Sequence, residues 1–194
     1  MTVRRTLYRF TAPAALVLAG ITGCDGAESS PLATEIELAP AHGSHVNPVT
    51  DPEVRKWLAE LRQATVEFRD FDAAGPAGWS EPILPCMELP GTGGMGQHYI
   101  DWDRMDELTP QDLGPELLVY EPQKNGRQRL VAVEYAVPIA AWGDVAPVLH
   151  GVEFHRNDGL GLWVLHAWIW KHNPAGMFAD WNPDVNCDYA PAGS

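Results

Sequence analysis

The stretch PELLVYEPQKNGRQRLVAVEYAVP, residues 115–138, decides the fold. Two runs rich in Val, Leu and Tyr, 116–121 and 129–137, flank Gln123-Lys124-Asn125-Gly126, and Asn-Gly supplies the positive φ angles that tight hairpin turns require. The pair reads as an antiparallel hairpin. In its second run Leu130, Ala132, Glu134 and Ala136 share one face, and Val131, Val133, Tyr135 and Val137 share the other. Both faces are largely apolar, so the strand is expected between two layers, with Glu134 buried.

Outward from this hairpin, further strands are expected at 96–100, 148–155 and 162–171, the last two joined by Asn157-Asp158-Gly159. Before residue 80 the period changes. Thr50-Asp51-Pro52-Glu53 is a helix start, and Val54, Trp57, Leu58, Leu61, Thr65, Phe68 and Phe71 recur at three- and four-residue spacing up to Gly75-Pro76. This predicts one amphipathic helix over about 51–74. The fold class is α+β and mostly β: an antiparallel sheet or open barrel with one N-terminal helix packed on it.

A length of 194 residues fits one domain, and Gly 18 with Pro 17 calls for many turns. Thirteen basic against 26 acidic residues give a formal charge of -13, which excludes a phosphate-backbone footprint and hence nucleic acid as a partner.

Arg4, Arg5 and Arg9 precede the uncharged stretch 12–20, too short to span a membrane, which makes residues 1–23 a signal peptide. It ends Ile21-Thr22-Gly23-Cys24, which resembles a bacterial lipobox and assigns lipidation to Cys24. An ordinary secretory signal with Cys24 incidental is the alternative. Arg4-Arg5 also resembles a twin-arginine signal, a common pair in any such segment. Without residues 1–23 the basic count falls by three, so the charge becomes 10 minus 26, or -16. Membrane attachment would then rest on acyl chains. Residues 24–50 read as a flexible tether that carries His42 and His45 as solvated residues, and 51–194 as the globular body. The expected location is extracytoplasmic, tethered to a bacterial membrane. Cys86 and Cys187 remain as an even pair in an oxidising compartment and are expected to form a disulfide.

Three polar residues stand at apolar strand positions. Alternation along 162–171 puts Leu162, Val164, His166, Trp168, Trp170 and His172 on one face. His98 follows the glycines of Gly93-Gly94-Met95-Gly96, which let a backbone or ligand approach closely. A buried Glu134 is costly unless paired or bound to a cation. His98, Glu134 and His166 together form a two-histidine, one-carboxylate set of the kind that holds zinc, iron or copper, with Trp168, Trp170 and His172 lining a pocket for a small ligand. The alternative is a hydrogen-bonded Glu134–His166 pair with His98 bonded to backbone, in a scaffold or adhesion module without metal. His155 reads as a solvated loop residue beside Arg156 and Asp158. No HExxH, GxSxG or Walker A pattern occurs, so whether the chain is an enzyme stays open.

The strings Met95-Gly96-Gln97-His98-Tyr99, Pro115 to Pro122, Val133 to Pro138 and His166 to Cys187 form the ordered pattern MGxHY, PExLxYEP, VEYxVP and HxWxWxxNPxGxFxxWNPxVxC. With it the chain resembles a family of exported bacterial proteins of uncharacterised activity, over roughly residues 53–187. The resemblance implies a secreted single domain.

Overall fold

Asp51 accepts a hydrogen bond from the Glu53 N–H and starts helix α1 (Pro52–Ala64). The computed structural model describes residues 48–191; the expected signal peptide, Cys24, His42, His45 and most of the expected tether lie outside the described residues. A 3-10 turn at Pro48–Thr50 precedes α1. Val54, Trp57, Leu58 and Leu61 of α1 face the core. Burying each such side chain contributes roughly 1.5–3 kcal/mol.

The expected helix over 51–74 is not continuous. The Thr65 hydroxyl bonds back to the Leu61 carbonyl, and the Phe68 carbonyl is taken by the Tyr120 hydroxyl at 2.7 Å. Backbone groups diverted in this way end the α-helical ladder. A 3-10 turn at Val66–Arg69 and a single-turn helix, α2 (Phe71–Ala74), follow. Thr65 and Phe68 are still buried, as the period required.

The strands are β1 (Glu81–Pro82), β2 (Met87–Leu89), β3 (Gly93–Ile100), β4 (Leu117–Pro122), β5 (Gln128–Pro138), β6 (Val148–Leu149), β7 (Val152–Glu153), β8 (His155–Asn157) and β9 (Leu162–Ala167). Short helices α3 (Trp102–Asp106) and α4 (Ile139–Trp142) lie between them. The main sheet has the order β1-β3-β4-β5-β9-β8, with β2 paired to β3, and all its pairings are antiparallel. It is an open sheet, not a closed barrel.

The central hairpin β4–β5 forms as expected, turned at Gly126, where φ is +78°. Its register contains a bulge at Val119/Tyr120, so Glu134 stands opposite Leu117 and next to His166 of β9. One face, with Leu118, Val133, Tyr135 and Leu165, packs against α1. The opposite face carries Ile100, Leu117, Ala136 and Val164 in one cluster and Val119, Ala132, Trp168 and Val185 in another.

The expected strand 148–155 is instead a separate hairpin, β6–β7, turned at His150-Gly151, followed by β8 on the main sheet. His150 (φ +49°) and Gly151 (φ +78°) both take positive φ, and the His150 ring stacks on Trp57. Strand β9 ends at Ala167 rather than at residue 171. The Trp168 N–H turns to the Met177 carbonyl and the Ile169 N–H to the Ala167 carbonyl, which breaks the alternation.

The Cys86 and Cys187 sulfurs lie at bonding distance, with Cα atoms 5.7 Å apart. Close by, Gly94 and Asn182 form a bridge, and a Cβ on Gly93 would fall 2.2 Å from the Asn182 carbonyl oxygen. The glycines expected to admit a backbone or ligand thus admit the chain's own C-terminal segment.

Candidate metal centre

His98, Glu134 and His166 come from β3, β5 and β9 and meet on the sheet face opposite α1. Strands β3 and β5 are two spacings apart, roughly 9–10 Å. Their side chains therefore reach toward each other above β4. His98 Nε2 lies 3.4 Å from His166 Nε2 and 3.3 Å from Glu134 Oε2, and His166 Nε2 lies 3.7 Å from Glu134 Oε1. All three are buried, His166 completely.

The approaches to Glu134 end on different oxygens, Oε2 for His98 and Oε1 for His166, and one ligand atom from each of the three residues lies within 4.8 Å of the others. Spacings of this kind suit three groups gathered around one ion. They do not match the paired alternative, because at 3.7 Å the Glu134–His166 contact is too long for a hydrogen bond. Among the described residues no donor satisfies the Glu134 carboxylate; only the two imidazoles approach it.

The outer ring nitrogens suit the same use. A histidine that holds a metal through Nε2 carries its proton on Nδ1 and donates it to an acceptor. His166 Nδ1 points toward Asp180 Oδ1 at 3.6 Å, and the Gly96 carbonyl acts on His98. Neither Nδ1 has a hydrogen-bond partner at this geometry, so both protons have an acceptor direction but no tight bond. Asp180 Oδ1 also accepts from His155 Nδ1 at 2.8 Å. His155 stays half-exposed, as expected of a residue beside a turn, but it is held in β8 by this carboxylate.

Burial depresses His98 to about 4 against the pull of Glu134, so the ring is neutral at neutral pH, the state a metal ligand requires. Burial also works against a charged His166, yet Glu134 and Asp180 outweigh it and leave this ring above its ordinary value. Burial alone would raise Asp180; the hydrogen bond from His155 and the nearby His166 ring hold it well below the usual carboxylate range.

A cavity of about 20 Å³ adjoins His98 and Glu134, walled by apolar side chains that include Leu84, Met87, Met95 and Leu162. A water needs roughly 10–15 Å³ of such room. The structure does not assemble the full expected pocket. Trp168 does border the site, its ring stacked on His166 at 6.0 Å. Trp170, beyond the end of β9, turns to the helix side, where its Nε1 donates to Thr65 Oγ1. His172 is exposed, and its carbonyl accepts from Asn182. Sequence reading missed Asp180 in this role; its only local signal is a place in the polar-aromatic stretch 166–183.

No family model, curated protein or solved structure matches the chain. The reading of this site therefore rests on its own geometry.

Proposed function

We propose that this chain is an exported, lipid-anchored metal-binding protein of a bacterial envelope, in which His98, Glu134 and His166 hold one zinc ion. One observation carries the reading: three buried donor groups approach one another at 3.3, 3.4 and 3.7 Å, and among the described residues no partner from outside the cluster bonds their facing atoms. Zinc is chosen over iron or copper because two imidazoles and one carboxylate with an open position are a common zinc donor set. Three protein ligands leave one position, and the adjoining cavity has room for a single water there. Such a site lowers the pKa of its water toward neutrality. The cavity offers no space for a substrate, so the reading is metal binding and extends to no reaction.

Metal analysis of protein exported by its native host tests it. About one equivalent of zinc per chain is expected, lost in the His166→Ala variant. Protein that holds no metal, and takes up none when zinc is supplied, would overturn the assignment.

A further inference from the structure

At the turn end of the β4–β5 hairpin lies a cleft of about 360 Å³, the size of a small-molecule site. Its charged lining residues are Arg69, Arg127 and Arg129, and no carboxylate lines it. In a chain with 26 acidic residues against 13 basic ones this is an unusual concentration of one sign. We propose that the cleft binds a small, multiply charged oxyanion of the phosphate or sulfate class.

The arginines are available for that role. Among the described residues none of the three forms an ion pair, whereas Arg104 is paired with Asp101, and Arg156 with Asp144 and Asp158. Glu121, directly across the hairpin from Arg129, is taken by Lys171 Nζ at 2.8 Å. The Arg69 guanidinium is held 5.4 Å over the Trp170 ring, itself fixed by its bond to Thr65. A stacked, planar fork loses little freedom when it grips two oxygens at once.

Gln128 lines the same cleft, half-buried between Arg127 and Arg129. A small ligand is favoured over an anionic membrane surface because the chain's net charge of -13 repels an extended negative face, while a concave basic cleft acts locally. Arg69, Arg127 and Gln128 also line a neighbouring cavity, which Asp70 and Asp72 share, so the side free of carboxylates is the one that Arg129 and Trp170 line.

Nitrogen-15 NMR of the arginine Nε–H groups tests this, with inorganic phosphate titrated into the full chain carrying Cys24→Ser, at low ionic strength and with chelator present. Chelator makes the response independent of zinc. Saturable shifts are expected at Arg69, Arg127 and Arg129, with Arg104 and Arg156 still. Joint Arg127→Ala and Arg129→Ala substitution, at two exposed positions, should weaken phosphate at least tenfold without changing the melting temperature. Absence of shifts, parallel unsaturable shifts of all five arginines, or unchanged affinity in the double variant would overturn the proposal. So would cosedimentation with phosphatidylglycerol but not phosphatidylcholine vesicles in a protein that ignores phosphate.

Discussion

Asp180 Oδ1 faces Nδ1 of His166 at 3.6 Å from outside the donor triangle, while its 2.8 Å bond to His155 fixes where that carboxylate sits. A carboxylate behind a metal-holding imidazole sets its tautomer and orientation. Asp180→Asn should therefore lower zinc affinity by roughly 10–100-fold, the usual cost of losing such a partner. Competition with a chromogenic chelator measures it. An unchanged affinity would show that Asp180 serves only His155.

His166→Ala separates a metal site from a plain buried cluster. Bound zinc stabilises the native state by mass action, so wild type should melt lower when chelator is added and the variant should not respond. Without metal, the substitution would instead cost the same in both conditions, through the cavity left by a fully buried ring. Thermal melts of both proteins, with and without chelator, distinguish the outcomes.

Glu116 predicts a pH dependence. Burial raises its carboxyl from 4.5 to about 7, opposed by the Ala136 N–H that donates to it at 3.1 Å. The native state thus keeps a proton that the unfolded chain releases. The stability this group allows is complete below about 4.5 and is lost as pH rises through 7. Glu116→Gln keeps the acceptor without the charge, so it should be near neutral at pH 4.5 and stabilising at pH 8 by up to roughly 3 kcal/mol. Urea unfolding at the two pH values reads the difference; equal effects would show that the charge carries no cost.

Cys86 and Cys187 are 101 residues apart. Removing a native bridge from a small exported domain costs roughly 2–5 kcal/mol. The double serine variant should melt lower, and non-reducing peptide mass spectrometry of wild type should link the two cysteine peptides. Two freely alkylated thiols would refute the pairing.

For the anchor, Cys24→Ser should leave the protein unprocessed or release it from the membrane fraction. Unchanged association after carbonate extraction would refute lipidation at Cys24.

Alternation singled out Glu134 and His166, because strand parity is rigid, whereas His98 was legible only through the glycines before it. Once β5 is sandwiched, Glu134 must point into one of its two layers, and antiparallel pairing sets His166 beside it. Asp180 escaped because its contact with His155 spans 25 residues and arises where irregular chain folds back, which no local period encodes. Trp170 was misplaced for a related reason: parity holds only while the ladder continues, and the Ile169 N–H leaves it. The break after α1 depended on the Tyr120 hydroxyl reaching the Phe68 carbonyl across 52 positions, a tertiary event that an unbroken apolar stripe conceals.

The bridge between Gly94 and Asn182 acts as a clamp. Gly94 belongs to the strand that carries His98, and Asn182 lies just beyond Asp180, the carboxylate that faces the His166 ring. One fastening thus holds the first histidine's strand and the group behind the second, and a strain that peeled this stretch from the sheet would loosen both together.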